Sequence, residues 1–181
     1  MREGRVFQNV DPRHFGTGPN GPIIPAGTPR AWLTLVGLVG LCLLTGAVGG
    51  LITAPAMRTW YAALQRPPGT PPDWVFAPVW TALYVMMGIA AWLIWRRGRR
   101  EALQVWGWQL LVNAIWPPLF FAVRSPGMAL IVIAALLLLV TLTAYMFARI
   151  DTRAGVLMMP YVGWVAFATY LNAGFWWLNG G

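Results

Sequence analysis

The sequence predicts an all-α membrane protein, a bundle of five transmembrane helices with a long Pro/Trp-rich loop between the first and the second. Three observations carry this. Of 181 residues, 58% are apolar and only 10% charged, whereas a soluble domain keeps about a quarter of its residues charged. Five separate runs of 21 to 25 residues contain no charge at all. None of them alternates with the period of a strand. The length suits one compact membrane domain.

Residues 1–30 stand apart as a tail rich in Gly and Pro, with no apolar run. It has no hydrophobic region of a signal peptide near its start and reads as a flexible or polyproline-like segment. The remaining residues, 31–181, form the helical domain. Trp32–Thr53 is the first span, followed by Val75–Trp95, Ala102–Val123, Met128–Ala148 and Ala154–Leu178. At 1.5 Å per residue each reaches about 30 Å, the thickness of the bilayer core. Some 20 residues separate the first two spans, with Pro55, Pro67, Pro68, Pro71 and Pro72 beside Trp60, Tyr61 and Trp74. A stiff, aromatic loop of that length is expected to act as a lid over the mouth of the bundle.

The net charge of +8 does not point to nucleic acid. All 13 basic residues are Arg and most flank the apolar runs, where they meet lipid headgroups and set topology. The tail and the connections after the second and fourth spans share one side and hold ten of them; Arg58, Arg66 and Arg124 hold the other. The N-terminus is therefore expected in the cytoplasm and the C-terminus on the opposite side.

No Asp, Glu, Lys, Arg or His lies within a span, which argues against ion pumps and proton-coupled carriers. The five acids all sit outside the apolar runs, Ser125 is the only serine, and His14 lies in the tail. No catalytic residues and no metal site are expected, and the lone Cys42 excludes a disulfide framework.

Twelve Trp, eight Phe and five Tyr remain. Trp32, Trp95, Trp106, Trp108, Trp176 and Trp177 lie near span ends and read as an interfacial belt. Deeper positions form stripes at helical spacing: Trp80, Tyr84 and Met87 in the second span; Gln109, Asn113, Trp116 and Phe120 in the third; Tyr161, Trp164, Ala168, Asn172 and Phe175 in the fifth. Such groups either hydrogen-bond between helices as packing glue or line a cavity whose aromatic walls stack a flat ligand. Pro117-Pro118 and Pro160 free backbone carbonyls and open room between helices. Gly46 and Gly50 form a small-residue face that brings helices together within the monomer or across a dimer.

The run W-Y-A-A-L-Q-R-P-P-G-T-P-P-D-W from Trp60, F-A-P-V-W-T-A-L-Y from Phe76, N-A-I-W-P-P-L-F-F from Asn113 and P-Y-V-G-W-V-A-F-A-T-Y-L-N from Pro160 together resemble the TspO family of tryptophan-rich sensory and translocator proteins. The resemblance runs from about Thr45 to Asn179. It implies a five-helix bundle, commonly a homodimer, with a cavity below the first loop that binds porphyrins, and in some members sterols or synthetic ligands. It also implies tetrapyrrole transport or scavenging, or oxygen- and light-dependent control of pigment synthesis, with no obligatory cofactor and with protoporphyrin or haem as ligand. Light-dependent porphyrin breakdown is linked to some members. By motif position the cavity residues are Trp80, Tyr84, Asn113, Trp116, Trp164, Ala168 and Asn172; Tyr161 joins them from its stripe. Gly69 stands where the family loop commonly has a Trp, and no basic residue follows Tyr170 to complete a sterol motif. An alternative role is an accessory structural subunit of a larger membrane assembly, photosynthetic in a pigmented bacterium, docked through residues 1–30.

Overall fold

Short polar residues set the helix starts. Thr28 accepts a hydrogen bond from the Ala31 N–H at 3.3 Å and Pro29 takes the first helical position. Ser125 caps Met128 at 3.4 Å ahead of Pro126, and Asp151 caps Arg153 at 3.0 Å. Each cap satisfies an N–H that a helix leaves unpaired, and proline at N1 sacrifices none. These starts define α1 (Pro29–Met57), α4 (Pro126–Ile150) and α5 (Thr152–Leu178). Between them lie α2 (Phe76–Arg96) and α3 (Arg100–Pro117). The computed structural model describes residues 24–180, with no strand among them.

Each charge-free run holds one helix: α1, α4 and α5 extend beyond their runs, α2 matches its run within one residue, and α3 ends at Pro117, short of Val123. Of these, α1, α2, α4 and α5 are long and apolar enough to cross a membrane. The third differs from a single uninterrupted span. Pro117 and Pro118 both lack an N–H, so the α-helical ladder cannot continue through them. The chain shifts instead into a π turn, Pro118–Ala122, in which the Val123 N–H donates to Pro118 O at 2.9 Å. Pro160, by contrast, lies inside an α5 that runs on to Leu178.

Packing is tightest where side chains vanish. A Cβ on Gly88 of α2 would stand 2.7 Å from the Val39 Cα of α1, and one on Gly155 would stand 2.6 Å from the Ala148 Cα across the α4–α5 turn. The buried core collects Met87, Ile94, Ile133, Phe147 and Met158. At one end of the bundle Arg97 pairs with Asp151 at 2.9 Å, tying the α2–α3 connection to the α4–α5 turn. The same end receives the segment before α1: Arg96 donates to Ile24 O at 2.8 Å and stacks over Trp92, whose indole donates to Ala31 O at 2.8 Å. Of the tail, residues 1–23 lie outside the described residues, and Pro29 and Arg30 already belong to α1.

One belt residue is misplaced by the sequence reading. Trp32, Trp108, Trp176 and Trp177 are exposed and Trp95 is half-buried, but Trp106 is only 5% exposed and its buried indole N–H has no partner among the described residues. Its position, three residues before Gln109 and seven before Asn113, puts it on the inward face of α3.

Gly88→Val is expected to wedge α1 from α2 and lower stability by about 1–3 kcal/mol. Gly107→Ala, with nothing within 4 Å of its Cβ, is expected to be neutral or slightly stabilising. Thermal unfolding in detergent, followed by circular dichroism, compares the two.

Candidate ligand-binding cavity

Three polar stripes meet inside the bundle. The Tyr84 hydroxyl of α2 donates to Asn113 Oδ1 of α3 at 2.6 Å, and Asn113 Nδ2 donates to the Tyr161 hydroxyl of α5 at 2.9 Å. Tyr161 in turn donates to Gln109 Oε1 at 3.1 Å, and Gln109 Nε2 reaches Met87 Sδ at 2.9 Å. Asn113, Gln109 and Tyr161 are all buried. A lone amide at this depth is costly, and the thread answers that cost by linking three helices. A second link lies closer to the loop end. Trp116 donates to Asn172 Oδ1 at 2.9 Å, while Asn172 Nδ2 donates to Pro126 O at 2.7 Å.

Above this thread is a cavity of about 550 Å³, within the size range of small-molecule sites. Trp80, Tyr84, Asn113, Trp116, Trp164, Ala168 and Asn172 line it. Tyr161 does not. It is fully buried beneath the floor, where it holds the Asn113 amide. Asn113 is likewise already engaged on both its oxygen and its nitrogen, so its free capacity toward a ligand is one N–H and one lone pair.

Ring geometry constrains what fits. Trp80 stacks on Tyr84 with 5.6 Å between centroids and 30° between planes, but stands at 90° to Trp164. A flat molecule therefore lies parallel to one of these indoles and meets the other edge-on. Phe76 packs edge-to-face on Trp164, and Phe120 lies 5.4 Å from Trp116. The Trp164 N–H is buried and has no partner among the described residues.

The wall that the stripes do not reveal comes from α1. Gly46, Gly49, Gly50 and Thr53 line the cavity. A Cβ on Gly46 would overlap the Tyr84 ring, and one on Gly49 would touch Pro117 at 3.4 Å. The signal in the sequence is the recurrence of small residues every three or four positions, which leaves room for the partner's rings rather than for another backbone.

The α1–α2 loop closes the end. Asn179 accepts from the Gln65 N–H at 2.9 Å and donates to Gln65 O at 3.1 Å, and the Tyr170 hydroxyl donates to Pro68 O at 3.0 Å. Pro67 seats on Gly174, where a Cβ would stand 2.6 Å from its ring. Arg66 forms a two-pronged pair with Asp73 at 2.9 and 3.2 Å and lies 5.1 Å over the Tyr61 ring. Tyr61 is packed on Phe121 and Phe175, and burial pushes its hydroxyl up to about 12, opposed by Arg66 and aided by Asp73. Gly69, at φ 81°, occupies a left-handed turn that suits glycine.

The TspO/MBR family model matches residues 38–178. The chain is 38% identical over 145 residues to the tryptophan-rich protein TspO of Chlorobaculum tepidum, covering 77% of this chain and 92% of that one. It is 37% identical to the translocator protein of Bos taurus (80% and 89% covered) and 35% identical to the tryptophan-rich sensory protein of Cereibacter sphaeroides (78% and 88%). The chain belongs to the TspO/MBR family. It is an integral membrane protein of the TspO type, and in this TspO-type bundle the matched span takes in every cavity-lining residue named above.

Asn179→Ala removes both hydrogen bonds that hold Gln65. It is expected to raise the rate of proteolytic cleavage within residues 58–72 several-fold while changing global stability by no more than about 1 kcal/mol, since the contact is exposed. Limited proteolysis beside a thermal melt checks both.

Proposed function

We propose that the protein binds a porphyrin in the cavity under the loop, as a carrier, scavenger or sensor of tetrapyrroles and not as an enzyme. The observation that supports this most is the lining itself: three indoles, Trp80, Trp116 and Trp164, and four phenyl rings, Phe76, Phe120, Phe121 and Phe175, around one partly open hollow with few polar groups. Aromatic faces favour a large flat π-system, and a small set of donors orients it. Trp164 supplies, on a ring of the lining, an N–H with no partner among the described residues. Such a buried donor costs about 1–3 kcal/mol unless a partner reaches it. Names of relatives such as tryptophan-rich sensory protein and translocator protein agree with a sensing or carrying role.

On this reading five helices cross the membrane, the third with its π turn included. The end bearing Arg96, Arg97, Arg99, Arg100, Arg149 and Arg153 faces the cytoplasm, by the positive-inside rule. The cavity and its loop then open toward the opposite side.

Filling the hollow tests the assignment without touching the hydrogen-bonded thread. Gly50 lines the cavity and has nothing within 4 Å of its Cβ, and Gly37 on the outer face of α1 is equally unobstructed. Protoporphyrin is expected to quench the tryptophan fluorescence of the wild type and of Gly37→Phe alike. Gly50→Phe is expected to weaken binding by on the order of tenfold, about 1.4 kcal/mol. Equal titrations for all three proteins would place the porphyrin elsewhere.

A further inference from the structure

A second hollow, of about 380 Å³, lies at the arginine-rich end, between the start of α3 and the end of α4. Arg99, Arg100 and Glu101 line it from one side, and Tyr145, Met146 and Arg149 from the other. The three arginines and one glutamate leave it a net charge of +2. Neighbouring cations are already engaged: Arg97 by Asp151, and Arg96 by Ile24 O and the Trp92 ring. Arg99, Arg100 and Arg149 are exposed, and no ion pair among the described residues engages them. Charge placed only to set topology has no need of a shared concavity.

Below the hollow, α4 carries an apolar track. Arg149, Tyr145, Leu142 and Leu138 fall at spacings of four, three and four residues, which is one helix face. All four are exposed, Tyr145 at 62% and Leu138 at 74%. From Leu138 to Arg149 the face spans about 16 Å, close to half the hydrocarbon thickness of a bilayer. A cationic hollow above an apolar strip one leaflet long matches a single anionic phospholipid in shape and complements it in charge.

We propose that this hollow binds an anionic phospholipid, with its phosphate among Arg99, Arg100 and Arg149 and one acyl chain along Tyr145, Leu142 and Leu138. Guanidinium forks match phosphate oxygens in pairs, and basic pockets between transmembrane helices favour anionic headgroups. A free phosphate ester would satisfy the arginines and leave the strip unused, so the two sources are separable. The site lies at the opposite end of the bundle from the loop and is independent of what the larger cavity holds.

Native mass spectrometry of the full chain in detergent, titrated with phosphatidylglycerol or phosphatidylcholine, tests it. The wild type is expected to prefer phosphatidylglycerol, and Arg99→Gln/Arg100→Gln/Arg149→Gln to lose at least about tenfold of that preference. Arg149→Gln alone, an exposed change, is expected to lose roughly fivefold and serves if the triple variant does not fold. Arg58→Gln/Arg124→Gln, at the other end, is expected to behave as wild type, and glycerol 3-phosphate at equal concentration is expected not to displace the lipid. No lipid preference in the wild type, an unchanged preference in the arginine variants, an equal loss in the Arg58/Arg124 control, or displacement by glycerol 3-phosphate would each overturn the proposal.

Discussion

The hydrogen bonds that Asn113 exchanges with Tyr84 and Tyr161 are what the rest of the interior depends on. In a bilayer there is little hydrophobic force pressing one apolar helix on another, so packing and interhelical hydrogen bonds decide how helices sit. Here one amide engages α2 and α5 from α3, and Tyr161 passes the connection to Gln109. Each bond contributes only about 0.5–1.5 kcal/mol net, but leaving a member unpaired costs about 1–3. The thread therefore selects one arrangement of three helices more strongly than it stabilises it. Above that floor the rings of Trp80, Trp116 and Trp164 have fixed positions.

Backbone irregularity serves the same end. The double proline of α3 shifts the chain into a π turn just above Asn113, and the turn carries Phe120 and Phe121 into the cavity wall. The small residues of α1 leave space where larger ones would fill it. Gly46 takes the Tyr84 ring against its backbone, which holds the hydroxyl toward Asn113. The loop then closes the end through backbone contacts to α5, so its grip depends on Asn179, Tyr170 and Gly174 more than on the half-exposed Arg66–Asp73 pair, which contributes at most about 1 kcal/mol.

Much of this is legible in the sequence for physical reasons. Runs of some 20 uncharged residues read directly as helices, because a membrane tolerates little else. The stripes through Trp80, Asn113 and Trp164 point to one interior because the period of a helix is fixed. Spacing cannot say which inward residue touches the hollow and which supports it: Tyr161 and Asn113 share a hydrogen bond, yet only Asn113 lines the cavity. Nor does it reveal the α1 wall, since glycine leaves no side chain to mark a face. Trp106 shows the hazard of reading depth alone, because closeness to a span end suggests the headgroups while its angular position, shared with Gln109 and Asn113, turns it inward.

A double-mutant cycle on Tyr84→Phe and Asn113→Leu, read from unfolding free energies in detergent, tests the thread most directly. The two changes are expected to be non-additive, with a coupling of about 0.5–1.5 kcal/mol. Additivity within about 0.3 kcal/mol would contradict it, and would mean that the helices around the cavity are held by packing alone.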